Sequence, residues 1–185
     1  MLTTLPMTLT LSRIIAIPVV VALFYVEGDY VRYAACAIYT AAAVTDYFDG
    51  YFARAWQQQT KLGRIFDPIA DKLLVSAVLL LLAYDRTIDK WSLWAAVIIL
   101  CREILVSGLR EYLAGLKVSV PVTRLAKWKT TVQLVAIGFL LVGPAGDRLI
   151  GYATDTGIVL LWISAIITLY TGYDYFRAGL KHIID

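Results

Sequence analysis

The sequence predicts an all-α integral membrane protein with six transmembrane helices and both termini in the cytoplasm. Three observations carry this reading. Apolar residues make up 60% of the 185 positions and charged residues 17%, with a mean hydropathy of +0.72, far from a water-soluble average. Apolar windows of about 20 residues, the length that crosses a bilayer core, can be drawn six times. When the chain is threaded through them, 13 of its 17 Lys and Arg residues fall on one side, which the positive-inside bias makes the cytoplasmic side.

The windows follow in order, as 7–27, 31–54, 66–84, 91–113, 125–143 and 156–178. No positive charge precedes the first and no small-residue cleavage pattern follows it, so it reads as a retained span and not a leader. The second ends in an aspartate-rich stretch. The third opens at Asp67-Pro68, which reads as a helix N-cap followed by proline at the first helical position. The fourth carries Arg102, Glu103, Arg110 and Glu111 inside an apolar run. The fifth opens on Lys127 and Lys129 and closes at Gly143-Pro144. The connectors "EGDY", "RAWQQQTKLGR", "DRTIDK", "GLKVSVPVTR" and "GPAGDRLIGYATD" are short and polar, and Gly and Pro punctuate them. With no internal repeat, residues 1–185 read as a single membrane domain. Tyr25, Tyr30, Tyr84, Trp91 and Tyr152 are placed to form an aromatic belt at the far interface.

Composition also excludes several classes. A net charge of +3 without a basic tail gives nucleic acid no binding surface. Cys36 and Cys101 sit far apart in apolar runs and read as packing residues. The only histidine is His182, so there is neither a His/Cys zinc set nor a histidine base within a span.

Chemistry concentrates in "DYFDGYFARAWQQQTKLGRIFDPIAD", residues 46–71. Asp46, Asp49, Gly50 and Ala53 follow i, i+3, i+4, i+7 spacing and share one helix face, and Asp67 and Asp71 share another at i, i+4. Spans two and three place all four carboxylates at the cytoplasmic end. Ionisable groups at membrane depth are costly and usually functional, and like charges brought close cannot all ionise. Two divalent cations would neutralise them. An all-oxygen ligand set selects hard ions, Mg²⁺ or Mn²⁺, and a pair of such ions suits displacement at phosphorus. Gly50 and Gly63 allow a backbone or a ligand to approach closely.

Written out, the stretch is Asp46-x2-Asp49-Gly50-x2-Ala53-Arg54-x8-Gly63-x3-Asp67-x3-Asp71. It resembles the signature of the CDP-alcohol phosphotransferases, integral membrane enzymes of phospholipid synthesis, and the six-span layout resembles their bundle along the whole chain. The pieces "LPMTLTLSR", "CREILVSGLREYLAG" and "AKWKTTVQ" are similar to the branch that uses glycerol 3-phosphate. Pro6-Met7 and Ala126-Lys127 depart from that branch, which often has Pro-Asn and Gly-Lys there. The resemblance implies transfer of the phosphatidyl group of CDP-diacylglycerol to glycerol 3-phosphate with release of CMP. It implies Asp46, Asp49, Asp67 and Asp71 as metal ligands, Asp71 also as general base, and Asp49, Gly50, Ala53, Arg54 and Gly63 around the CDP moiety. It further implies a homodimer in the bacterial cytoplasmic (inner) membrane.

A phosphorylated acceptor needs cations besides the metals, because Arg and Lys bind phosphate directly. Arg110, Lys127 and Lys129 are the candidates, with Arg102 and Arg13 behind them; Thr10 is a further candidate substrate contact. Lys117, Arg124 and Lys181 read as positive-inside charges or anionic-lipid contacts. Inositol phosphate, phosphatidylglycerol or serine as the acceptor is the alternative within the same reaction type. An ion-coupled carrier is the alternative of another class, disfavoured because the carboxylates cluster at one membrane face without an inverted repeat.

Overall fold

The computed structural model describes the backbone of residues 5–55, 61–116, 118 and 124–184, and the side chains of residues 10–45, 66, 68–116, 118, 125 and 128–179. Among the described residues the chain is all-helical, with no strand and six helices: α1 (Leu5–Leu23), α2 (Asp29–Ala55), α3 (Lys61–Tyr84), α4 (Lys90–Gly115), α5 (Arg124–Ile150) and α6 (Ala153–Ile184). Helices α2 to α6 each contain one of the apolar windows whole, and α1 ends at Leu23, short of the 7–27 window's end.

The helices close into a ring. α1 packs on α2 and α3, α2 on α5, α5 on α6 and α6 on α4, while α3 touches α4 and α5 more lightly. All six feed one core, through Val20, Tyr39, Val78, Ile99, Leu140 and Leu161 among others. Small residues at the crossings (Ala35, Ala42, Ala95, Ala136, Ala165) bring backbones close, as helix packing inside a membrane requires.

The bundle turns its oil outward. Ile104, Leu80 and Ile166 are mostly exposed, while Arg13 and Lys129 are buried at 1% and 5% exposure. Large apolar side chains outside and charged ones inside is the distribution of a membrane protein, because lipid solvates the first and not the second. Helices α4, α5 and α6 contain described stretches long and apolar enough to cross a bilayer, and Thr10–Leu23 is a shorter apolar stretch of α1. Tyr25, Tyr30, Tyr84, Trp91 and Tyr152, the expected belt, are all exposed and lie at helix ends that the up-and-down topology puts together.

Of two expected boundaries, one is corrected and one is seen as a break. Asp67 does not cap α3, which starts at Lys61 and holds Pro68 in its interior. Proline this early removes one backbone bond, the one to residue 64, and the helix-favouring Lys, Leu and Arg ahead of it carry the helix through. Gly63 therefore lies on a helix and not in a connector. Gly143-Pro144, by contrast, does end the first of the two helical segments that make up α5. Gly143 adopts φ +43° and ψ −127°, and the helix resumes beyond the kink to Ile150, because proline is at home in the first turn of a new segment.

That kink is held by Arg32. Its guanidinium donates to the Leu141 carbonyl and to Thr87 Oγ1, each at 3.4 Å, and to the Asp85 carboxylate. The Thr87 N–H donates to Asp85 at 3.0 Å. Beside it, Asp147 accepts the Thr154 N–H at 2.9 Å and so caps the start of α6. These contacts tie α2, α5, α6 and the α3–α4 turn together at the belt end of the bundle, leaving the opposite end for the aspartates.

Candidate active site

Inside that opposite half is a cavity of about 70 Å³, walled by Arg13 of α1, Tyr39 and Ala42 of α2, Asp71 and Ser76 of α3, Glu103 of α4, and Lys129, Thr130 and Gln133 of α5. Five helices contribute, and its polar groups are mostly charged. Helical register explains the convergence on α5, where Lys129 and Gln133 are i, i+4 and share a face.

The charges are matched. Lys129 Nζ donates to Glu103 Oε1, and Arg102 Nη1 lies 3.5 Å from the same oxygen. A buried charge in an apolar bundle persists only when paired, so Glu103 fixes where the Lys129 ammonium stands. Arg102 itself turns toward α6: Nε donates to the Thr168 carbonyl and Nη2 to Thr171 Oγ1, both at 3.1 Å. Gly172 makes room for it, since a Cβ there would meet Arg102 Cγ at 3.0 Å.

The expected site residues divide accordingly. Asp71, Arg13 and Lys129 come together on one cavity. Arg102 does not reach it, being bound to α6, and neither does Arg110, whose guanidinium lies 5.7 Å from the Tyr175 ring centroid. Thr10 is buried on α1, three residues before Arg13, and is not part of the cavity wall. The side chains of Asp46, Asp49, Gly50, Ala53, Arg54, Gly63, Asp67 and Lys127 lie outside the described residues. Their backbone positions are informative. α2 runs unbroken to Ala55 and α3 from Lys61, so 39, 42, 46, 49 and 53 share a face of α2, and 67 and 71 share a face of α3. The aspartates continue the stripes that wall the cavity, toward the end of the bundle.

Tyr39 and Ser76 line the cavity without belonging to any motif, and Thr130 and Gln133 line it from within the "AKWKTTVQ" piece, where the sequence assigns them no role. Gln133 left a signal, a polar side chain within an apolar span one turn beyond Lys129.

A family model described as CDP-alcohol phosphatidyltransferase matches residues 3–170. The chain belongs to this family. Its aspartate signature is the stretch that leads α2 and α3 into the cavity, and nearly all of the described bundle lies within the match. Similar proteins include the CDP-diacylglycerol–glycerol-3-phosphate 3-phosphatidyltransferase of Rickettsia typhi, 47% identical over 94% of this chain and 96% of the relative. The proteins of the same name from Escherichia coli K12 and Cereibacter sphaeroides are 39% and 37% identical, each over 98% of this chain and 97% of the relative. Members of the CDP-alcohol phosphatidyltransferase family work with divalent metal ions.

Proposed function

We propose that this protein transfers the phosphatidyl group of CDP-diacylglycerol to glycerol 3-phosphate, giving phosphatidylglycerol phosphate and CMP. The observation that carries the proposal is the meeting of Asp71 with Arg13 and Lys129 on one cavity, at the end of the aspartate-bearing faces of α2 and α3. Near-full-length relatives bearing that name support the choice of acceptor.

Each group has a task. The phosphate of the acceptor sits against Arg13 and Lys129, with Lys127 contributing from the start of α5. Its primary hydroxyl faces Asp71. As the hydroxyl oxygen bonds to the lipid-linked phosphorus, the bond from that phosphorus to the bridging oxygen breaks, CMP departs, and Asp71 takes the hydroxyl proton. No covalent enzyme intermediate is needed, because positioning and charge stabilisation suffice for this transfer. Asp49, Gly50, Ala53, Arg54 and Gly63 pack around the CDP moiety. Asp46, Asp49, Asp67 and Asp71 would hold two Mg²⁺ or Mn²⁺ ions, which when bound neutralise diphosphate charge and acidify the acceptor hydroxyl. The protein is a single domain of six spans in the bacterial cytoplasmic membrane. Its termini and its site face the cytoplasm, it contacts membrane lipids, and it works as a homodimer.

The test is CMP release by purified protein in detergent with CDP-diacylglycerol and a panel of acceptors. Glycerol 3-phosphate is expected to be preferred, with release abolished by EDTA and restored by Mg²⁺. Preference for inositol phosphate, phosphatidylglycerol or serine would overturn the acceptor; metal-bound, folded protein releasing no CMP with any alcohol would overturn the reaction and favour a carrier.

A further inference from the structure

Gln133 lies in the wall of the cavity at 6% exposure, and its amide oxygen has no hydrogen-bond partner among the described residues. Buried polar atoms without partners are rare, and each one calls for a cause. The same condition holds for the Ser164 and Thr168 hydroxyls on α6. Those have a local remedy, since a helical hydroxyl can rotate onto the carbonyl four residues back. An amide oxygen is an acceptor only, and the N–H groups of its own helix interior are engaged in the helix. Its partner must come from the cavity.

What can supply it is limited by the neighbours. Lys129, one turn away on the same face, is held by Glu103, and Asp71 of α3 lines the same cavity. An anionic group is drawn to Arg13 and Lys129 and a nucleophilic hydroxyl to Asp71. A bare carbonyl oxygen beside them accepts from an O–H or N–H donor, and in a cavity whose wall already holds Arg13, Lys72 and Lys129 a ligand hydroxyl supplies that donor without adding positive charge. Glycerol 3-phosphate carries that set: a phosphate at one end, the attacking hydroxyl at the other, and a secondary hydroxyl between them.

We infer that Gln133 is a specificity-determining residue whose amide oxygen accepts a hydrogen bond from the secondary hydroxyl of the acceptor. It thereby selects a polyol phosphate with a hydroxyl adjacent to the attacking one. The inference rests on the proposed reading of the cavity as the acceptor site. A site built to bond a substrate hydroxyl rejects the analogue that lacks it, because its own polar group is then left unpaired.

The experiment compares glycerol 3-phosphate with 3-hydroxypropyl phosphate, which lacks the secondary hydroxyl, in wild type, Gln133→Met and Gln133→Glu. The readout is kcat/KM for CMP release from CDP-diacylglycerol, with folding checked by thermal melting. Wild type is expected to prefer glycerol 3-phosphate by about 10- to 100-fold, the range of one well-placed hydrogen bond. Gln133→Met matches the side chain in size and is expected to lower kcat/KM for glycerol 3-phosphate alone, collapsing the preference to within about threefold of unity. Gln133→Glu keeps an acceptor oxygen and is expected to retain a preference. A merely structural role would lower both substrates equally in Gln133→Met and would overturn the inference. So would wild type using the two acceptors equally well, an outcome that needs no variant to fold. Absence of CMP release from wild type with both acceptors would instead count against the proposed function.

Discussion

Lys129 and Glu103 meet inside an apolar bundle, and each would be costly there alone. Removing one partner of a buried ion pair costs about 3–5 kcal/mol, whereas replacing both by apolar residues is often neutral. Lys129→Met should therefore lower the melting temperature in detergent sharply, and Lys129→Met/Glu103→Met should recover most of it. The KM for glycerol 3-phosphate should stay raised in both, since the cation that meets the phosphate is gone. A double variant with normal KM would show that Lys129 serves structure alone. Arg102 makes the opposite case. It bonds to Thr168 and Thr171 on α6, so Arg102→Lys should lose about 1–2 kcal/mol of stability through its forked hydrogen bonds and leave the acceptor KM unchanged. A tenfold rise in KM at unchanged melting temperature would put Arg102 back among the phosphate ligands. Residue type alone does not separate the two cations. Arg102 and Glu103 are consecutive, about 100° apart around α4, so one reaches α6 and the other the cavity. Only the packing of α4 against α6 decides which.

At the scale of elements, all six helices were legible because each carries its own apolar window. Their ends were less so. Asp67-Pro68 and Gly143-Pro144 both carry the punctuation of a boundary, yet α3 runs through the first, whereas two helical segments meet at the second. Proline marks a missing N–H and not the fate of the helix around it. In the cavity wall, Asp71, Arg13 and Lys129 were legible from spacing and residue type. Tyr39 and Ser76 were not, because a tyrosine or serine in an apolar span looks the same whether it lines a cavity or packs. The bend at Gly143 has a consequence of its own. A Cβ there would meet Arg32 Nη1 at 2.8 Å in a backbone region that disfavours side chains, so Gly143→Ala should cost about 1–3 kcal/mol. Because the kink lies at the belt end, activity per folded molecule should be unchanged. A fall in kcat with unaltered melting would contradict that separation of the two ends.

For the whole molecule, polar and apolar functions are divided along the bundle axis. The belt end holds exposed aromatics and the Arg32–Asp85 pair, and the other end holds the cavity and the faces that lead to the aspartates. With 13 of 17 basic residues on the cavity side, the proposed layout puts that side in the cytoplasm, where glycerol 3-phosphate is dissolved. Reporter fusions at the two termini should both be active only as cytoplasmic fusions; an external reporter at either terminus would reverse or break the six-span layout. The most direct measurement is the incorporation of labelled glycerol 3-phosphate into lipid by purified protein with CDP-diacylglycerol and Mg²⁺, compared between wild type and Asp71→Asn of equal melting temperature. Label should appear in phosphatidylglycerol phosphate with wild type, and fall by about 10²–10⁴-fold when the base is lost. Undiminished incorporation by Asp71→Asn, or no labelled lipid from folded wild type, would contradict the assignment of the cavity as the seat of phosphatidyl transfer.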